Sequence, residues 1–79
     1  MAKLPILSGR EILKVFLKCG YAQSTHEGSH VTLKKVADGK VYLVTVPLYD
    51  AIAAGLLLRI IKQSDMTKEE FLSRRQRYS

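Results

Sequence analysis

His30-Val31-Thr32-Leu33-Lys34-Lys35-Val36, then Ala37-Asp38-Gly39-Lys40, then Val41-Tyr42-Leu43-Val44-Thr45-Val46 closed by Pro47, decide the fold. The two outer pieces are rich in β-branched residues, and the Asp-Gly between them is a strong hairpin signal. In the first piece Val31 and Leu33 point one way, while His30, Thr32 and Lys34 point the other. One apolar and one polar face describe a sheet covered by helices on one side only. Pro47 ends the third strand. Upstream, Tyr21 to Thr25 reads as the first strand, and Gly28 breaks the chain before the second.

Helices flank these strands. Ser8-Gly9-Arg10-Glu11 is a capping-box pattern, in which Ser8 caps the third helical amide and Glu11 reaches back to the amide of Ser8. The first helix is predicted from about Gly9 to Cys19, with Ile12, Val15, Phe16 and Cys19 as its apolar stripe. Gly20 stops it. Asp50 can cap a second helix from about Ala51 to Gln63. A start at Gly55, with residues 51–54 as a lead-in, is the alternative. This helix carries Ile52, Leu56, Leu57, Leu58, Ile60 and Ile61 on more than one face. Either it is deeply buried or another chain covers part of it. Thr67-Lys68-Glu69-Glu70 is a second capping box before a short helix from Lys68 to about Arg74, anchored by Phe71 and Leu72. Residues 74–79 read as a frayed basic tail.

The fold class is therefore α+β in the order α-β-β-β-α, with a three-stranded antiparallel sheet, helices on one face and a short C-terminal helix. That is the order of a double-stranded-RNA-binding domain. The 79 residues make one domain, 1–79, near the lower size limit for an independent core. The single cysteine, Cys19, excludes an internal disulfide and a zinc site of cysteine pairs. On its apolar stripe it reads as a small core residue, and the lone thiol suits a reducing, cytoplasmic setting. No apolar run approaches the roughly twenty residues of a spanning helix, and the N-terminus is too weakly apolar for a signal-peptide core, so a soluble protein is expected.

Thirteen Lys and Arg stand against seven Asp and Glu, a formal charge of +6. Such a balance favours a polyanionic partner, although many small soluble domains are basic without one. Arg10, Lys14 and Lys18 lie four residues apart and form one basic line on the first helix. The bland account of that line is a solvated face.

Two histidines are present, His26 and His30. His30 starts a strand and points off its apolar face, and an exposed imidazole is the default general acid or base. A lone surface histidine usually has no role, so elimination matters. There is no convincing orienting carboxylate for a serine triad and no third ligand for a His26–His30 metal site. A phosphate loop and a carboxylate cluster for paired metals are also missing from the sequence. One histidine on a basic domain can still cleave RNA, because RNA carries its own nucleophile, the 2′-hydroxyl. His30 would be the base or acid. Lys34 on the same strand face, and Lys35 or Lys40 in the hairpin, are candidates to stabilise phosphorane charge. Arg10, Lys14, Lys18 and Ser29 complete the candidate RNA contacts.

Gly20-Tyr21, Gly28-Ser29-His30, Val44-Thr45-Val46-Pro47, Gly55-Leu56-Leu57-Leu58-Arg59-Ile60-Ile61-Lys62-Gln63 and Glu69-Glu70-Phe71, in this order and spacing, resemble the HicA family. The resemblance runs from about Ser8 to Leu72. It implies a short toxin with a double-stranded-RNA-binding-domain-like fold, acting as a messenger-RNA endoribonuclease without metal or other cofactor. It implies that the family's catalytic histidine matches His30. It also implies a HicB-type antitoxin that covers the toxin and blocks that histidine, a partner that would suit the apolar excess of the second helix. Three stretches differ from the pattern of many members: Thr25-His26-Glu27 before Gly-Ser-His, Leu48-Tyr49 after Val-Pro, and Ala54-Gly55-Leu56-Leu57 opening the second helix. A non-catalytic RNA-binding module and a protein-interaction domain remain the alternative readings of the same residues.

Overall fold

The computed structural model describes residues 4–78. Met1–Lys3 and Ser79, on which parts of the leader and tail readings fell, lie outside the described residues. The elements are α1 (Gly9–Lys18), β1 (Ala22–Glu27), β2 (His30–Ala37), β3 (Lys40–Pro47), α2 (Ala54–Lys62) and α3 (Lys68–Tyr78). The strands form one antiparallel sheet in the order β1-β2-β3. The α+β class and the element order are those expected from the sequence.

Both hairpin turns are two residues long. Asp38 and Gly39 have φ of 52° and 74°, the mirror-image turn that matches the twist of the flanking strands. Gly28 has φ 57°, whereas Ser29 does not enter that region, a pattern in which glycine leads the turn. This turn is tight enough to pair Glu27 with His30. It moves β1 from the expected Tyr21–Thr25 to Ala22–Glu27 and leaves Tyr21 to the core. Every residue of β1 is exposed, and the pairing register shifts between Gln23 and Thr25. Such an irregularity discourages further strand pairing at an edge. At the other edge the Thr45 N–H donates to Oε1 of Gln63 at 3.0 Å.

The helix-covered face of the sheet supplies Val31, Leu33, Val44 and Val46 to the core. Ile12, Val15 and Phe16 of α1, Leu57, Ile60 and Ile61 of α2, and Phe71 of α3 close over them. Phe16 lies between two rings, edge-on to Tyr21 at 5.2 Å and tilted to Phe71 at 5.6 Å. Aromatic pairs of this kind add roughly 0.5–1.5 kcal/mol beyond the area they bury. Among the described residues no polar or charged residue is buried. Both capping boxes form: Ser8 with Glu11 at 2.9 and 3.1 Å, and Thr67 with Glu70 at 3.0 and 3.1 Å.

Two expectations change, and a choice left open is decided. First, α2 starts at Ala54, with Ala53 as its cap residue and no capping side chain, so Asp50 does not cap it. Ile52 is held instead in an isolated bridge to Leu7, its N–H donating to the Leu7 carbonyl at 2.7 Å. A residue extended in this way cannot belong to a helix. The alternative start at Gly55 was one residue off. Second, α3 is helical through Tyr78, past the expected end at Arg74. Third, the apolar surplus of α2 is taken up by the core, since Leu57, Ile60 and Ile61 are buried and Leu56 and Leu58 partly so. Three exposed apolar residues share the outward face of the sheet: Val36, Val41 and Leu43 are 64%, 57% and 54% exposed. That face is polar at the His30 end and apolar at the other.

Two local constraints tie the layers together. The Gly9 N–H donates to the Tyr49 carbonyl at 2.9 Å. A Cβ at Gly9 would collide with the Pro47 carbonyl oxygen and come within 2.8 Å of the Leu48 Cα. At the other end of α1, Tyr21 OH donates to Asp65 Oδ1 at 2.9 Å and accepts from the Asp65 N–H at 3.1 Å. Lys35 Nζ lies 2.8 Å from Asp65 Oδ2 and 5.5 Å from the Tyr21 ring centre. Burial, above all, pushes the Tyr21 phenol up to about 12. Burial also pushes the Asp65 carboxyl up, but hydrogen bonds from Lys35 and Tyr21 outweigh it and hold the group below its usual 3.8.

Gly9→Ala should destabilise the protein by roughly 1–3 kcal/mol, although alanine ordinarily favours a helix. Gly55→Ala, where a Cβ meets nothing, should stabilise it by about 0.4–1 kcal/mol. Denaturant midpoints measure both, and equal shifts would refute the close approach at Gly9. A carboxyl depressed by folding contributes stability above its unfolded pKa and loses it as pH falls through its folded pKa. Wild-type stability should therefore decline as pH drops below about 5. Asp65→Asn should be less stable at pH 7 and should show a shallower decline. Parallel pH curves for the two proteins would count against this assignment.

Candidate active site

His30 is the first residue of β2 and is exposed on the sheet's outward face. Its partners across the strands are Glu27 on β1 and Pro47 on β3. Its ring meets that of Tyr49 edge-on, with centroids 6.1 Å apart and planes at 78°. Tyr49 is half exposed and held by its backbone, because its carbonyl accepts from Gly9. The Leu48 N–H donates to the Ser29 carbonyl at 2.6 Å, which joins the β1–β2 turn to the segment after β3. His30 and Tyr49 are thus brought together by two backbone contacts rather than by side-chain packing.

The outward face is ordered in rows. Glu27, His30 and Pro47 form the first, Thr25, Thr32 and Thr45 the second, and Ala22, Lys34 and Leu43 the third. The Thr32 and Thr45 hydroxyls lie 3.4 Å apart. Rows on one face are about 7 Å apart, so Lys34 stands roughly 13 Å along the strand from His30. Val36 and Val41 follow as a fourth, apolar row.

The other candidates are distributed unevenly. Ser29 is exposed in the turn beside His30. Arg10 is exposed in the first turn of α1, next to Gly9 and therefore close to the backbone of Pro47–Tyr49. Lys14 and Lys18 lie about 6 and 12 Å farther along the helix axis. Lys18 reaches the far end, where a shallow recess of about 220 Å³ is lined by Lys18, Cys19, Lys35, Asp65, Met66, Glu70 and Arg74. Lys35 turns toward the helices and is tied to Asp65. Lys40 opens β3 at the opposite end of the hairpin, roughly 23 Å from His30 along β2. The fold keeps Ser29 beside His30, sets the Arg10 end of the basic line on the helix-covered side near Pro47–Tyr49, and leaves Lys18, Lys35 and Lys40 elsewhere.

His26 Nε2 lies 2.9 Å from the Gly28 carbonyl. A carbonyl only accepts, so Nε2 carries the proton and donates across the turn. In register His26 pairs with Val31, on the other side of the sheet from His30. Cys19 is partly buried against the core, and burial above all raises its thiol pKa. It has the character of a packing residue rather than a nucleophile.

A family model described as the HicA toxin of bacterial toxin-antitoxin matches residues 9–66. The chain belongs to the HicA toxin family. No curated protein and no solved structure matches it. The matched stretch of this HicA toxin begins at Gly9, where α1 meets the Pro47–Tyr49 backbone, and ends at Met66, before α3. It spans the helix, the whole sheet and α2, and so contains His30 and Tyr49. A toxin of such a system implies an antitoxin as its partner. Among the described residues no helix is long and apolar enough to cross a membrane.

The sequence reading leaves three residues near this site without a role, Glu27 among them although it lies close to His30 in sequence. Tyr49 sits in a segment without regular structure, and no periodicity places it. Gly9 read only as part of a capping box. Glu27 could have been placed: reading Gly28-Ser29 as a two-residue hairpin turn sets Glu27 opposite His30.

Proposed function

We propose that this HicA toxin is an endoribonuclease that cleaves messenger RNA through the RNA's own 2′-hydroxyl, with His30 moving a proton as general acid or base. The observation that carries this reading is the position of His30. It is exposed on an outward strand face, braced by the Tyr49 ring, in a chain of the HicA family with net charge +6. An open surface suits a polymer substrate better than a small molecule, which ordinarily needs a concave pocket. RNA brings the nucleophile, so the protein has only to hold phosphates and transfer protons. DNA lacks the 2′-hydroxyl and is spared. Arg10 and Ser29 serve the phosphate nearest His30. Lys34, two rows away, serves a neighbouring one, and Lys14 extends the basic track along α1.

The antitoxin of the pair is a HicB-type protein, and the outward sheet face is where it docks. Val36, Val41 and Leu43 form an uncovered apolar patch on the face that carries His30. The distance from Val36 to His30 along β2 is roughly 20 Å. A standard interface covers about 800 Å² on each partner, enough to span both. One partner seated on the apolar rows therefore also shields the histidine.

RNA cleavage in the presence of chelator, by the wild type and by His30→Ala, tests the nuclease. The wild type should cleave. The variant should lose at least about 100-fold in rate while keeping its fold and its salt-dependent RNA binding. RNA binding by both proteins without cleavage by either would leave a binding module only. For the partner, Leu43→Glu should weaken association with the antitoxin by at least tenfold and leave thermal stability unchanged. Undiminished association would place the interface elsewhere.

A further inference from the structure

His30 has two side chains directly across from it on the outward face, and only one can exchange a proton. Pro47 on β3 cannot; Glu27 on β1 can. Directly opposed residues of an antiparallel pair have Cβ atoms about 4.5–5.5 Å apart on one face. Glu27 is exposed. Among the described residues its carboxylate makes no ion pair or hydrogen bond, and the imidazole of His30 meets the Tyr49 ring edge-on. The two-residue Gly28-Ser29 turn, fixed by the bond from Leu48 to Ser29, holds this pair in register. A carboxylate and an imidazole so placed can flank a single phosphodiester.

We propose that Glu27 is the general base and His30 the general acid of RNA cleavage, which rests on the ribonuclease reading above. A carboxylate near neutral pH has no proton to give, whereas an imidazole can carry one, so this direction uses both groups. Glu27 takes the proton of the 2′-hydroxyl as the 2′-oxygen bonds to phosphorus. The bond from phosphorus to the 5′-oxygen breaks, and the imidazolium of His30 gives its proton to that oxygen. The products are a 2′,3′-cyclic phosphate and a 5′-hydroxyl, with Glu27 protonated and His30 neutral. Exchange with water restores both, and no other reactant is needed. The repulsion between Glu27 and the phosphate is screened by water at this exposed site and opposed by the positive net charge. The charged or titratable groups around the pair are few. They are His26 on the other face of β1, Tyr49 against His30, Asp50 next in the chain, Arg10 in the first turn of α1 and Lys34 two rows along.

The full chain, with an RNA oligonucleotide of one cleavable site and chelator present, allows the test. Single-turnover rates are followed against pH for the wild type, Glu27→Gln and His30→Ala. The wild-type rate should rise and then fall with pH. Glu27→Gln should lose about 100-fold or more and the rising acid limb, with RNA affinity kept or improved. A substrate with sulfur as the 5′ leaving atom needs no acid, so it should rescue His30→Ala and leave Glu27→Gln slow. Cleavage that requires His30 but keeps its rate and both limbs in Glu27→Gln would overturn the pair and spare the ribonuclease reading. Rescue of Glu27→Gln rather than His30→Ala would overturn the assignment of roles. A wild type that binds RNA and never cleaves it would remove the ribonuclease reading and the pair together.

Discussion

The geometry around His30 depends on one meeting of backbones. The first turn of α1 comes so close to Pro47 and Leu48 that only glycine fits at position 9. The same segment is tied to the β1–β2 turn through Leu48 and Ser29. Helix, turn and strand end are thereby fixed to one another over a few residues. Tyr49 and His30 project from two of these pieces, and their ring contact follows from the backbone contacts beneath. The frame is held by carbonyls and amides.

The two faces of the sheet differ in character. The inner face supplies Val31, Leu33, Val44 and Val46 to one core with Phe16 and Phe71. The outer face carries an ordered series from Glu27 and His30, through paired threonines and Lys34, to an apolar end at Val36 and Val41. Adjacent residues of β2 therefore do opposite jobs. Lys34 and Lys35 are neighbours in the chain, yet Lys35 clamps Asp65 on the helix side while Lys34 is free to meet solvent. Net positive charge is thus an imprecise guide to nucleic-acid contact, since part of it is committed to holding the fold.

Much of this was legible in the sequence because the signals were local. The Asp38-Gly39 turn, the alternation around Val31 and Leu33, and the capping boxes at Ser8 and Thr67 each depend on residues within four positions of one another. All took the form expected. Asp50 misled for the opposite reason. Its capping chemistry was available, but Ile52 was already bound to Leu7, far away in sequence, and the long-range bridge overrode the local preference. Of the two readings of the apolar surplus of α2, deep burial is the one the structure bears out, because a helix that touches β3 and α3 together can bury more than one face.

The sequence by itself determined the α-β-β-β-α order, the outward direction of His30 and the family pattern. Turn chemistry, period-two alternation and residue spacing are properties of the chain alone. Only the tertiary structure decided what stands around His30. Tyr49 reached it through the path of a loop, tied by its carbonyl to Gly9. It also turned Lys35 inward and set Lys40 at the far end of the hairpin. These placements depend on backbone contacts between segments distant in sequence, which no local pattern encodes.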